Sequence, residues 1–199
     1  MVAVINDPMM EEMLIRERRE KGLDKFDEVW EGVYMMSPIA NNEHQWLMLK
    51  LAQIVSEAIA PDSLVYPGVN VSDREDWTHN YRVPDVAVFL KGNPAEDRET
   101  FMLGGPDLAI EILSPGDRAF EKLDFYASVK TREVMIIGRY PWQIDLFRLD
   151  GRGLKHVGNI TPGDSAVLET RVVGLNWKLL SGEKRPGIEI SSMERVWKL

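Results

Sequence analysis

The clearest repeating pattern of apolar residues in this chain lies between residues 41 and 60. Apolar side chains recur there at the spacing of a helix's buried face, namely Leu47, Leu51, Ile54 and Ala58. Asn41 or Asn42 can cap this helix, which is expected to run to about Ala60. At about 100° per residue, His44 falls on the same stripe one turn before Leu47, so its ring is predicted to point inward.

Two largely apolar runs predict buried strands. One covers Tyr81 to Leu90, and the other covers Asp107 to Leu113. The second run is nearly continuous, which indicates a central strand of a sheet. Shorter patterns predict further strands at 64–71, 133–137 and 143–149, and a strand pair within 166–180.

Two more helices and a hairpin complete the pattern. Asp7 caps a charged helix that begins at Pro8 and ends at Gly22, and Ser114-Pro115 opens a helix to about Val129. The hairpin covers 26–36 and turns at Glu31-Gly32. This order of elements predicts an α/β (α+β) fold, a mixed sheet with flanking helices and an N-terminal hairpin.

Length and composition favour one folded domain. A chain of 199 residues with 44% hydrophobic residues suits a single sizeable core. No apolar run reaches the roughly 18–20 residues that span a bilayer. Residues 1–19 carry early acidic residues where a signal sequence would be basic and then apolar. A cytoplasmic protein without membrane association is therefore expected.

The chain has no cysteine, and its three histidines lie far apart. Disulfides, cysteine-zinc sites and a cysteine nucleophile are thereby excluded, and a histidine-rich zinc site is not expected. A metal site would have to rely on carboxylates, which favour Mg²⁺, Mn²⁺ or Ca²⁺. The net charge of −8 argues against non-specific coating of nucleic acid, but it is compatible with a nuclease whose acidic site adds negative charge.

Each of the two apolar strands contains one acid. Asp85 lies within VPDVAVFL, and Glu111 lies within DLAIEILSP. Carboxylates in such surroundings are costly unless they are paired or bind a cation. Neighbouring strands that present one acid each can hold a divalent ion, which activates water and stabilises charge on a phosphate. The structural alternative is that Asp85 is a partly exposed edge residue and that Glu111 pairs with an arginine.

Several strings together resemble the Uma-type restriction endonuclease family of the PD-(D/E)XK nuclease superfamily: RVPDVAVF, GGPDLAIEILSP and EKLDFYASVKTREVMII. The preceding FDEVWEGVYMMSPIANNEHQWLMLKL is similar to the family's opening hairpin and helix. The resemblance runs from about Phe26 to about Leu180. It implies a restriction-endonuclease-like domain over 26–180, with an N-terminal helical extension over 1–25 and a C-terminal tail over 181–199.

The resemblance also implies site residues. Asp85 and Glu111 would bind Mg²⁺ or Mn²⁺, and Lys122 would be the catalytic lysine. Leu113 occupies the usual lysine position of the superfamily, and the Uma-type family takes this lysine from the following helix instead. His44 matches the polar end of the family's first core helix, where it would either position water or phosphate or simply cap the helix. The implied activity is metal-dependent endonucleolytic hydrolysis of DNA.

Two departures from the family pattern leave other functions open. The segment between Glu111 and Lys122 is short for the family, and VMIIGRYPW replaces a tryptophan-rich strand ending in Asp-Pro. The main alternative is a catalytically inactive nuclease-like binding or assembly module. A third interpretation is a metal-dependent enzyme that acts on a phosphate compound other than nucleic acid. A homodimer is expected for a nuclease that cuts both strands.

Further residues carry weaker signals. Three arginines near the acids in sequence are candidates for holding the DNA backbone: Arg82, Arg118 and Arg139. Trp77 lies in a polar loop, from which it can stack on a base. Glu31 is expected to be a turn residue, and Asp107 is expected to be structural.

Overall fold

The computed structural model describes residues 8–199. Within this part of the chain, the α-helices are α1 (Pro8–Glu20), α2 (Asn42–Ala58) and α3 (Leu123–Ser128), and 3-10 turns cover Trp77–His79 and Ala119–Lys122. The strands are, in order, β1 (Glu28–Trp30), β2 (Val33–Met35), β3 (Leu64–Tyr66), β4 (Val71–Ser72), β5 (Tyr81–Arg82), β6 (Val86–Phe89), β7 (Glu96–Asp97), β8 (Met102–Leu103), β9 (Leu108–Ile112), β10 (Glu133–Arg139), β11 (Trp142–Asp150), β12 (Gly153–Ile160), β13 (Leu168–Thr170), β14 (Leu175–Leu180), β15 (Gly187–Ser191) and β16 (Val196–Lys198).

A mixed sheet of six strands forms the centre of the fold, in the order β12-β11-β10-β9-β6-β3. β9 runs parallel to β10 on one side and antiparallel to β6 on the other. One face packs against α2 and β14 through Leu47, Leu51 and Trp177. The other face packs against α3 through Phe125 and Tyr126. Because both faces are covered, β6 and β9 are buried along their whole length, which explains their apolar sequences.

Two smaller sheets flank the central one, in the orders β2-β1-β5-β4-β8-β7 and β13-β14-β15-β16. The first contains the predicted hairpin. Its turn residues Glu31 and Gly32 have φ angles of 48° and 84°, as a two-residue hairpin turn requires. The hairpin and the turn role of Glu31 are confirmed. β15 and β16 lie within 181–199, where the sequence pattern predicted no strand.

The prediction of one strand from Tyr81 to Leu90 is wrong. β5 belongs to the hairpin sheet, and β6 belongs to the central sheet. Pro84 lies between them and has no N–H to donate to a strand ladder. The N–H of Val83 donates to the side-chain carboxylate of Glu28 and not to a backbone carbonyl. The chain therefore changes sheets immediately before Asp85.

The predicted helix from Ser114 to Val129 is too long. Residues 114–118 form a loop, the 3-10 turn follows, and α3 covers only six residues. Gly116 has a φ of 84°, a left-handed conformation that a right-handed helix cannot contain. The shorter helix still begins directly after Lys122.

Other predicted elements are confirmed. α2 covers residues 42–58, and Asn41 caps it by accepting the His44 N–H at 2.9 Å. Gly22 follows α1 with a φ of 63°, whereas the predicted cap Asp7 lies outside the described residues. β10 and β11 contain the strands predicted at 133–137 and 143–149. No helix within residues 8–199 is long and apolar enough to cross a membrane.

Candidate active site

Asp85 and Glu111 lie side by side at the end of the central sheet. In the antiparallel pair β6–β9, Val86 is opposite Ile110. Continuing this register by one residue places Asp85 opposite Glu111, and directly opposite residues project to the same face. Asp85 also accepts the N–H of Ile112 through Oδ2 at 2.7 Å. Both acids are buried, with 9% and 3% of their surface exposed.

Lys122 reaches this pair from the 3-10 turn that precedes α3. Its Nζ lies 3.1 Å and 3.0 Å from the two carboxylate oxygens of Glu111. Tyr126, one turn along α3, donates its hydroxyl to Glu111 Oε1 at 2.5 Å. The structure therefore brings the three residues Asp85, Glu111 and Lys122 together, and their catalytic role stays a prediction.

Glu28 is a site residue that the sequence did not reveal. It comes from β1, is 4% exposed, and its Oε1 lies 2.9 Å from Lys122 Nζ. The hairpin sequence is mixed in polarity, so an acid within it did not stand out as costly. Glu31, the hairpin acid considered from the sequence, has a side chain that is 71% exposed at the turn.

His44, in the first turn of α2, contacts Asp85. Its ring is buried, and Nε2 is 3.2 Å from Asp85 Oδ2. Because a carboxylate only accepts hydrogen bonds, Nε2 carries the bridging proton. Among the described residues, Nδ1 has no hydrogen-bond partner. Asn41 is the cap of α2, as predicted, which excludes the alternative that His44 merely caps the helix. The predicted inward orientation of His44 is confirmed.

The site residues line a cleft of about 570 Å³. Its polar lining includes Glu28, His44, Asp85, Glu111 and Lys122. Its apolar lining includes Phe26, Met35, Met36, Pro38 and Met48. The buried acids are thus reachable from solvent through a cleft that borders both the hairpin and α2.

The site holds more negative than positive charge. Glu28, Asp85 and Glu111 contribute three acidic groups, whereas Lys122 contributes one ammonium group, which contacts Glu28 and Glu111. Burial raises the pKa of Glu111 to about 8, and the charges of Asp85 and Glu28 add to this effect while Lys122 opposes it. Burial alone would lower the pKa of Lys122, but Glu111 and Glu28 outweigh it and raise that pKa.

This charge balance fits a hydrated divalent cation. Within residues 8–199, no group of three or more His, Asp or Glu side chains forms a ready-made metal cage. Mg²⁺ usually keeps several waters and uses only one or two carboxylates together with substrate phosphate. The described partners of Asp85 contact Oδ2, which leaves Oδ1 for such an ion, with Glu111 beside it.

The free energy of unfolding is expected to fall as the pH rises from about 4.5 to 8 in metal-free buffer. The folded protein keeps a proton on Glu111 up to about pH 8, whereas the unfolded chain releases it near 4.5. The protonated Glu111 carboxyl therefore makes its full contribution to the free energy of unfolding at low pH. This contribution is lost between about pH 4.5 and 8, at up to about 1.4 kcal/mol per pH unit. Urea unfolding at several pH values measures the slope. Glu111→Gln should flatten it, and an equal slope in that variant would contradict the assignment.

Two of the three arginines that were candidates for holding the DNA backbone are buried. Arg82 is 4% exposed, with its guanidinium 4.6 Å and 4.4 Å from the ring centroids of Trp30 and Phe125. Arg139 is 1% exposed and donates to Leu113 and Asn41. Neither can reach a DNA backbone, so that prediction is wrong for both.

Arg118, unlike Arg82 and Arg139, is partly exposed. It lines the cleft and pairs with Glu121, so it stays a candidate for contacting a phosphate. Trp77 stacks on Phe101 with 5.4 Å between ring centroids, which occupies one face of its ring. Asp107 accepts the N–H of Leu90 and is structural, as predicted.

The sequence profile of the Uma2 family, described as "Putative restriction endonuclease", matches residues 10–180. The chain is a member of the Uma2 family. A search of the curated proteins found no match. Among solved structures, this Uma2 protein is similar to a putative nuclease belonging to DUF820 from Anabaena variabilis ATCC 29413. The two share 15% sequence identity with a TM-score of 0.60, over 74% of this chain and 82% of the other. The fold is the restriction-endonuclease-like fold predicted from the sequence.

Proposed function

We propose that this Uma2 protein is a metal-dependent endonuclease that hydrolyses phosphodiester bonds of DNA. The observation that carries the proposal is the adjacency of Asp85, directly before β6, and Glu111 on β9, with Lys122 in contact with Glu111, inside an open cleft. Family membership and the nuclease-like fold agree with this function.

Asp85 and Glu111 would hold Mg²⁺ or Mn²⁺. A bound ion of this kind lowers the pKa of a coordinated water and offsets negative charge on a phosphate. The excess of acidic groups over lysine supports this role, because a cation would offset the repulsion from Asp85 and Glu28 that adds to the effect of burial on the pKa of Glu111.

The protein's own groups would orient the reactants. The Lys122 ammonium has donors that can stabilise negative charge developing on the phosphate in a site shielded from water. The Ile112 N–H and His44 Nε2 both hold Asp85 Oδ2, so the carboxylate keeps one orientation. Tyr126 holds Glu111 in the same way. Arg118 lines the cleft and would contact a neighbouring backbone phosphate.

Supercoiled plasmid is expected to be nicked in the presence of Mg²⁺ or Mn²⁺ and to stay intact when EDTA is added. The physical reason is that, without a cation, the carboxylates repel the substrate phosphate. Gel electrophoresis of the plasmid over time measures the rate. Nicking that persists after exhaustive metal removal would contradict the proposal, as would a complete absence of nicking with every divalent cation tried.

One observation favours the alternative function, a nuclease-like binding or assembly module without catalytic activity. Both oxygens of Glu111 are already engaged, one by Lys122 alone and the other by Lys122 and Tyr126. In such a protein Lys122 would replace the cation permanently. Calorimetric titration with Mg²⁺ and Mn²⁺ separates the two functions, since the module would show no heat of binding at millimolar metal while its fold stays intact.

DNA as the substrate and a homodimer as the active form are also parts of the proposal. Recognition of DNA requires binding that weakens steeply with salt, because phosphate contacts release counterions. Filter binding at several salt concentrations tests this, and salt-independent binding would favour another phosphate compound as substrate. Light scattering measures the oligomeric state.

A further inference from the structure

Lys122 contacts acids from two separate elements. Its Nζ lies within 3.1 Å of both oxygens of Glu111 on β9 and 2.9 Å from Oε1 of Glu28 on β1. Lys122 is buried, so its charge is costly unless carboxylates surround it. Within the described residues, no other carboxylate lies within ion-pair distance of this ammonium.

The two acids have different tasks under the proposed function. Glu111 lies beside Asp85 and would share a cation with it, and that cation would repel the ammonium of Lys122. Glu28 contacts Lys122 from β1, and it has no contact with Asp85 among the hydrogen bonds and ion pairs of the described chain. Glu28 is therefore the acid that can keep Lys122 in the site once Glu111 is engaged.

Glu28 is also fixed in place. The N–H of Val83 donates to its Oε1 at 2.7 Å, and the Trp30 indole N–H donates to its Oε2 at 2.6 Å. Val83 belongs to the segment where the chain changes sheets before Asp85. The same short segment therefore sets the positions of Glu28 and Asp85 relative to each other.

We propose that Glu28 is the positioning residue that anchors Lys122 when Asp85 and Glu111 bind a divalent cation. This inference rests on the proposed function. Glu28 itself is neither a metal ligand nor a group that touches the substrate. It acts through the location of the lysine ammonium.

The activity test compares Glu28→Gln with Glu133→Gln. Glu133 is a matched control, since it is a strand carboxylate that is 1% exposed and pairs with Arg148 at 2.7 Å, on the central sheet rather than the hairpin sheet of Glu28. Glu28→Gln is expected to lower the kcat of plasmid nicking by about 100-fold, with little change in KM or in the calorimetric affinity for Mg²⁺. Glu133→Gln should leave all three quantities close to wild type. Loss of Mg²⁺ affinity in Glu28→Gln would overturn the proposal, because Glu28 would then be part of the metal site.

A stability test needs no activity. Glu28→Gln is expected to lower the Tm of the wild-type protein, because Lys122 loses a counter-ion. In the Lys122→Met background the same change should raise the Tm, because it removes one of several buried carboxylates that then repel each other. The reversal should persist with millimolar Mg²⁺ present. A fall of similar size in both backgrounds would mean that Glu28 acts only through its hydrogen bonds to Val83 and Trp30, which would overturn the proposal.

The two tests fail in different ways. If the wild-type protein nicks no plasmid with any divalent cation, the proposed function fails. The Tm reversal in Mg²⁺ then still decides whether Glu28 anchors Lys122, since a reversal that disappears when Mg²⁺ is added would overturn the anchoring role.

Discussion

Asp85→Asn is expected to reduce plasmid nicking by at least about 100-fold, equivalent to about 2.7 kcal/mol of transition-state stabilisation. Asparagine keeps the size of the side chain and an oxygen that can accept the Ile112 N–H, which Asp85 now accepts at 2.7 Å. What it removes is the negative charge that, with Glu111, would hold the cation. The calorimetric heat of Mg²⁺ binding should therefore disappear together with the activity.

The same variant should be at least as stable as the wild type in metal-free buffer. The charge of Asp85 is one of the causes that raise the pKa of Glu111, so its removal relieves repulsion between neighbouring carboxylates. Asp150→Asn is the matched control, because Asp150 lies at the exposed end of β11 in an ion pair with Lys155. If the Asp85→Asn variant nicks plasmid at the same rate as the Asp150→Asn control, Asp85 has no part in the reaction.

Arg139→Met is expected to destabilise the fold by about 3 kcal/mol, a fall in Tm of roughly 6–12 °C. The Arg139 side chain is fully buried and donates to the Leu113 carbonyl, Asn41 Oδ1 and Glu43 Oε2. Methionine fills a similar volume but removes all three donations, so that Asn41 Oδ1 keeps only the His44 N–H. The loss of donors to buried acceptors is costly. Thermal unfolding followed by circular dichroism measures the effect.

The effect of Arg139 should extend to the site, because Asn41 caps the helix that carries His44. Arg171→Met provides the control. Arg171 has a side chain that is 68% exposed, and surface substitutions of this kind usually stay within about 0.5 kcal/mol of the wild type. A similar Tm for both variants would mean that the buried network around Arg139 contributes nothing to stability.

The acids of the site could be found from the sequence because their surroundings are unusual. Asp85 and Glu111 each lie in a run of apolar residues, where an unpaired carboxylate is costly, and this local signal needs no knowledge of distant contacts. Lys122 was identified through the family resemblance, since nothing in its own neighbourhood distinguishes it from a solvated helix lysine.

Glu28 and the arginines could not be assigned in this way. Glu28 lies in a hairpin of mixed polarity, and its contact with Lys122 joins residues that are far apart in the chain. Arg82 and Arg139 are close to the acids in sequence, and that closeness suggested a role in DNA binding. The fold instead buries both of them against aromatic rings and backbone carbonyls.

The sequence by itself determined the strands β9, β10 and β11, the helix α2 with its inward His44, and the two acids Asp85 and Glu111 in apolar surroundings, because these depend on periodicity and on the local cost of burying charge. Only the tertiary structure decided that the chain changes sheets at Pro84, that Lys122 contacts both Glu111 and Glu28, and which of the three candidate arginines lines the cleft. Those outcomes depend on which distant segments pack together and on the direction in which each side chain is buried. A linear pattern of residues does not contain that information.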